Sequence, residues 1–141
     1  MDLERLAKQI DIDEGYRKSA YQDTEGYWTV GHGFLIDEQL DAGLTYEESM
    51  AILTQFRIPA VVQELKERVD FWDALPPEGK EALANMAFNL GWPRLSKFKN
   101  MLSALSEGRY HKAADEALDS KWAEQVGDRA QRIAEQFRAC A

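Results

Sequence analysis

Between residues 14 and 36 the chain departs abruptly from helical patterning, and this departure constrains the fold more than any other feature. Upstream, Leu3, Leu6, Ala7 and Ile10 recur at helical spacing behind Asp2, a residue type that caps helix starts. They predict a helix from about residue 2 to about residue 13. The segment itself is rich in Tyr, Trp, Thr, Val and Ile and carries Gly15, Gly26, Gly31 and Gly33. Asp23-Thr24-Glu25-Gly26 stands between two β-prone runs. That is hairpin chemistry, and a small antiparallel sheet is expected there.

Downstream the helical pattern returns. Thr45-x-x-Glu48 is a capping box that opens a second helix. Pro59 is expected to break or kink it, because proline lacks an N–H and crowds the preceding turn. Val61, Val62, Leu65 and Val69 carry a stripe onward to about residue 72. Leu75-Pro76-Pro77 is a joint, and proline suits a helix start. Leu83, Met86, Ala87 and Leu90 share a face that ends at Gly91. Leu95, Phe98, Leu102 and Leu105 form another stripe ending at Gly108. Ala113, Ala114, Ala117 and Leu118 mark a short helix, and Ala130, Ile133, Ala134 and Phe137 mark the last one. One β element near the start of an otherwise helical chain is an α+β layout, with a cleft expected where the two parts meet.

Composition narrows the function. A length of 141 residues suits one domain, and 45% hydrophobic with 30% charged residues excludes a disordered tail or a fibrous repeat. Cys140 alone allows no intrachain disulfide. The two histidines and this cysteine form no ligand-spaced cluster and cannot make a zinc site without carboxylate help. No apolar run approaches the roughly 20 residues of a membrane-spanning helix.

The net charge of −8 is unevenly spread: residues 1–93 hold 18 acidic and 8 basic side chains, residues 94–141 hold 7 and 9. Nucleic-acid binding needs many phosphate-neutralising cations, so no nucleic-acid partner is expected, nor an anionic membrane surface. Met1-Asp2-Leu3-Glu4-Arg5 lacks the basic and apolar regions of a secretory signal. Synthesis in the cytoplasm is expected, and the chain then either acts inside the cell that makes it or leaves by a route its own sequence does not encode.

Several site types are missing. There is no phosphate loop or nucleophile elbow, and Gly31-His32-Gly33 lacks the rest of a dinucleotide site. What stands out is Glu14 at the end of the first helix, Asp23 at the hairpin turn and Thr29 on the next strand. Hydrolysing a glycosidic bond needs two carboxyl groups with opposed duties: one protonates the leaving oxygen, the other activates water or stabilises the oxocarbenium ion. Among 25 acidic residues such a pair carries no weight by spacing alone.

The surroundings give it weight. Glu14-Gly15, followed by Tyr21-x-Asp23-Thr24-Glu25-Gly26-Tyr27-Trp28-Thr29-Val30-Gly31, resembles the catalytic segment of phage-type lysozymes, the endolysin muramidases of glycoside hydrolase family 24. Asn85-Met86-Ala87-Phe88-Asn89-Leu90-Gly91, with Phe98 beyond it, resembles the central helix of that family and the turn after it. Ser120-Lys121-Trp122 and Arg129-Ala130-x-Arg132 resemble its C-terminal segment.

The resemblance implies a single lysozyme domain over residues 1–141, with a β lobe over about 15–44, a helical lobe over 1–14 and 45–141, and a sugar groove between them. It implies a monomer that cleaves the β-1,4 bond between N-acetylmuramic acid and N-acetylglucosamine in bacterial peptidoglycan, without metal or cofactor. By position, Glu14 would be the general acid and Asp23 the second carboxylate, and Thr29 would help place the attacking water. Leu35, Phe88, Asn89 and Arg129 would meet the substrate, with Arg129 beside Glu14. A general acid working near neutral pH must keep its proton, so Glu14 is expected to be partly desolvated. Trp28 is expected in the core and His32 at a turn or surface.

Three departures from the family pattern matter. Where the family reads Gly-x-Gly-His, this chain reads Gly31-His32-Gly33-Phe34, so the ion pair made through that histidine is expected to be lost. Only about residues 37–44 separate the sheet from the next helix, so one small helix and some saccharide subsites are expected to be missing. Free endolysins of this type are often basic, whereas this chain is acidic; delivery by a phage tail component or another partner is therefore expected. Two other readings remain open: a wall- or partner-binding module that keeps the fold without turnover, and a lytic transglycosylase.

Overall fold

Asp2 opens the first helix as its residue type predicts: its carboxylate accepts the Arg5 backbone N–H at 3.0 Å. The helix, α1, spans Leu3–Glu14. Gly15 comes next at φ +70° and donates its N–H to the Asp11 carbonyl at 2.9 Å. Only glycine adopts that backbone freely, so the helix stops immediately after Glu14. The computed structural model describes residues 1–22, 24–32, 34–37 and 44–141, and the chain divides into two units, Met1–Met50 and Ala51–Ala141.

The first unit holds α1 and a three-stranded antiparallel sheet in the order β1-β2-β3, with β1 over Arg17–Gln22, β2 over Trp28–Gly31 and β3 over Phe34–Asp37. Tyr21 faces Thr29 across β1 and β2, and Thr29 faces Leu35 across β2 and β3. The register shifts once in each ladder, between Arg17 and Tyr21 and between Trp28 and Thr29. Gly31, at φ +67°, ends β2; a Cβ there would lie 3.1 Å from the Phe34 ring.

The placement of Trp28 in the core does not hold. Trp28 is 39% exposed and Tyr27 40%, while Thr29 is 5% exposed. Successive strand residues point to opposite faces, so burying Thr29 turns Trp28 outward.

The capping box forms: Glu48 N–H donates to Thr45 Oγ1 at 3.1 Å, and Thr45 N–H reaches Glu48 Oε1 at 3.4 Å. It opens α2, Tyr46–Ile52. Near Pro59 the α-helix gives way to a wider turn, and the helical path does not break. The chain passes through a π turn, Leu53–Arg57, and resumes as α3, Ile58–Arg68. Ile58 donates to the Leu53 carbonyl, one residue further back than in an α-helix. The wider turn accommodates a proline that has no N–H to give. The helix ends at Arg68, short of residue 72, because Val69 is extended at φ −111°, ψ 101°.

A 3₁₀ turn, Trp72–Ala74, precedes α4, Pro77–Leu90, which stops at Gly91. The stripe from Leu95 to Leu105 is divided between α5, Trp92–Leu95, and α6, Lys99–Ser106, because Phe98 leaves helical geometry at ψ 58°. Helix α7 spans Tyr110–Leu118 and α9 spans Asp128–Arg138. Between them lies a helix that the apolar periodicity does not announce, α8, Lys121–Val126, capped by Ser120 Oγ, which accepts the Ala123 N–H at 3.1 Å.

The core of the second unit runs from Leu65 to Phe137. Helix α9 packs on α4 and α7. Leu83 and Met86 of α4 and Ile133 and Phe137 of α9 are fully buried. Each such side chain contributes about 1.5–3 kcal/mol of hydrophobic stabilisation. The fold is thus α+β, a small sheet near the N-terminus and a larger helical part. The expected loss of a small helix falls on residues 38–43, outside the described residues.

Candidate active site

Glu14 is the last residue of α1, and its side chain is exposed. This corrects the expectation of partial desolvation. Helix α1 has no buried residue, so the carboxyl at its end receives no apolar cover from its own helix. Thr29 has the opposite environment. The residue is buried, and its hydroxyl donates to the Tyr27 carbonyl at 3.2 Å. With its proton committed, the oxygen keeps lone pairs that can accept from water. Asp23 lies outside the described residues, and so does the Leu35 side chain, although the Leu35 backbone is in β3 opposite Thr29. On β1 the Arg17 guanidinium sits 4.4 Å from the centre of the Tyr21 ring.

In the second unit, Asn85, Phe88 and Asn89 recur at the spacing that lines one helix face, opposite the buried Leu83 and Met86. Phe88 is 50% exposed. Together with Ile58, Val61, Val62, Trp72 and Arg129 it lines a cavity of about 500 Å³. Arg129 is locked by Asn85: Nε and Nη2 donate to the side-chain oxygen at 2.9 and 2.7 Å, and Nη2 also reaches the Asn85 carbonyl at 3.3 Å. One residue beyond Phe88, Asn89 Oδ1 accepts the indole N–H of Trp122 at 2.8 Å. Trp122 is itself buried, and the Phe98 ring meets it edge-on at 6.0 Å. Since the indole occupies the amide oxygen, the Asn89 NH₂ is left as an outward donor. The arrangement offers an apolar wall and a fixed cation in one cavity, with an oriented amide beside them on α4.

The profile of the family described as phage lysozyme matches residues 11–137. The chain belongs to the phage lysozyme family. This is a family of glycoside hydrolases, and relatives agree with the assignment. The chain is 29% identical over 153 residues to the pre-baseplate central spike protein Gp5 of Enterobacteria phage T4, covering 91% of this chain and 26% of that protein. It is 27% identical over 157 residues to a probable T4-type lysozyme 2 of Dictyostelium discoideum, covering 94% and 92%. It is 30% identical over 134 residues to the peptidoglycan hydrolase gp36 of Pseudomonas phage phiKMV, covering 92% and 15%. The chain therefore spans about a quarter of the spike protein and nearly all of the Dictyostelium lysozyme.

Of the residues expected to serve this phage lysozyme, Phe88 and Arg129 line one cavity with Asn89 beside them on α4, and Glu14 and Thr29 belong to the first unit. Two supporting residues had no role assigned by the sequence. Asn85 holds Arg129, and Trp122 orients Asn89. The helical spacing of Asn85 and Asn89 was the available signal for a polar strip on α4. Trp122 stood in a block that resembles the family, but its partner lies 33 residues away and no local spacing announced the contact. No helix among the described residues is long and apolar enough to cross a membrane.

Proposed function

We propose that this phage lysozyme is a peptidoglycan hydrolase that cleaves the β-1,4 bond between N-acetylmuramic acid and N-acetylglucosamine. The observation that carries the reading is the family match over residues 11–137, which takes in Glu14, Asp23, Thr29, Phe88, Asn89 and Arg129. Glu14 protonates the bridging oxygen as the bond breaks. Asp23 stabilises the developing oxocarbenium ion or takes a proton from water, and Thr29 holds that water through a hydroxyl lone pair. An exposed Glu14 needs cover to act as an acid near neutral pH, and the bound saccharide supplies it by displacing water. Phe88 packs against the apolar face or acetyl methyl of a sugar, and the Asn89 amide donates to an acetyl carbonyl. Asn85 engages the Nε and Nη2 side of Arg129, so Nη1 serves a substrate acceptor.

Delivery by a partner belongs to the same proposal. The acidic charge of −8 opposes capture by an anionic wall, and the likeness to a baseplate spike protein supports a tail component as carrier.

Product analysis tests the activity. Purified protein incubated with peptidoglycan is expected to release new reducing ends. Anhydro-muramyl ends in their place would identify a lytic transglycosylase. Wall binding without new ends would identify a binding module.

A further inference from the structure

The end of α1 is tied to the sheet by a side-chain pair that the active-site assignment does not use. His32 lies in the turn between β2 and β3, and its Nε2 is 2.8 Å from Asp11 Oδ1 on α1. A carboxylate only accepts, so the imidazole donates. Asp11 has a second duty: its backbone carbonyl takes the Gly15 N–H that closes the helix after Glu14. The His32 ring is flanked by Tyr16 at 5.5 Å and Phe34 at 6.1 Å, one from each side of the link. No residue of α1 is buried, and the pair with its aromatic flanks joins the helix end to the strands.

We infer that His32 and Asp11 are positioning residues that fix the direction of Glu14 relative to the strand carrying Thr29. The inference rests on the reading of Glu14 as general acid. The displaced histidine thus makes a hydrogen bond inside the first unit. With the link cut, α1 keeps its helix and its cap, but the carboxyl samples a wider cone and is less often aligned with the bridging oxygen. The effect falls on turnover and leaves saccharide binding alone.

The test measures kcat and KM of the full chain on soluble peptidoglycan fragments. His32→Ala and Asp11→Ala are each expected to lower kcat by about three- to fivefold, the ceiling set by an exposed pair, with KM within about twofold. His32→Gln and Asp11→Asn, which keep a donor or an acceptor in place, should recover most of the loss. The double alanine variant should be no worse than the worse single one. Circular dichroism and thermal melts confirm that each variant is folded at the assay temperature, and where His32→Ala is not, Asp11→Ala carries the comparison. An alanine variant that is folded and keeps the parent kcat would overturn the proposal, as would a loss of kcat that Gln and Asn fail to recover. Glu14→Gln in parallel separates the two levels. If it stays active, the acid assignment falls and the positioning role with it; if it is dead while His32→Ala turns over normally, only the positioning role falls.

Discussion

In Met1–Met50 the buried residue among the described side chains is a threonine, whereas in Ala51–Ala141 an apolar core extends from Leu65 to Phe137. The first unit is held by strand ladders, a helix cap and a surface hydrogen bond between side chains. The second is held by side-chain packing, and it presents a polar strip on α4. On the proposed reading of Glu14 and Thr29, chemistry and stability therefore reside in different places. A site on a thinly buried unit depends on individual hydrogen bonds. A site on the outer face of a packed helix inherits its rigidity from the core behind it.

Substitutions in each unit put this contrast to the test. The largest change in stability is expected from Phe137→Ala, at about 3–5 kcal/mol in urea unfolding, because a fully buried ring leaves a cavity. Turnover per folded molecule should stay within about twofold. A large fall in kcat at temperatures where the variant is folded would mean that core and chemistry are not separable.

Trp122→Phe sits on the border, since the ring belongs to the core and its N–H serves Asn89. Removing that one donor should cost about 1–1.5 kcal/mol. It should also raise KM about fivefold with kcat little changed, as expected when an oriented binding group is freed. Steady-state kinetics on soluble glycan separates these quantities.

Gly15→Ala tests the first unit. Nothing lies within 4 Å of the added Cβ, so the cost comes from φ +70° alone and should be about 1 kcal/mol by thermal melt. Its effect on activity should exceed its effect on stability, because Glu14 is the adjoining residue.

The smallest effect concerns Cys140. Burial pushes its thiol up, the Glu78 charge adds to this, and the Gly79 backbone N–H opposes it. The folded chain therefore holds the thiol proton more tightly than the unfolded chain does. That contribution is complete below the unfolded thiol pKa and is lost as pH rises through the folded one. Urea melts at pH 7 and pH 10 should show a small alkaline loss that Cys140→Ala lacks.

Local signals were legible in the sequence. Asp2, the Thr45–Glu48 box and Gly91 each act within four residues, and the helix boundaries they announce are where the structure has them. The π turn before Pro59 was not legible, because proline removes a donor whether the helix breaks or widens. Phe98 carries the apolar pattern across a break, so periodicity joins two helices into one. Trp28 escapes the core because adjacent strand residues compete for one buried face and Thr29 takes it. In the candidate site, the family pattern pointed to candidate side chains but not to what holds them. Arg129 to Asn85, Trp122 to Asn89 and His32 to Asp11 span 44, 33 and 21 residues. Contacts that distant depend on the tertiary fold and leave no trace in local spacing.

The most direct measurement is release of reducing ends from purified peptidoglycan by the parent chain and by Glu14→Gln, at matched folded concentration. The parent should produce them steadily, and the variant, still folded and still binding glycan, should be slower by at least about a hundredfold, the lower range for losing a general acid. Equal rates from the two proteins would contradict the account at its root.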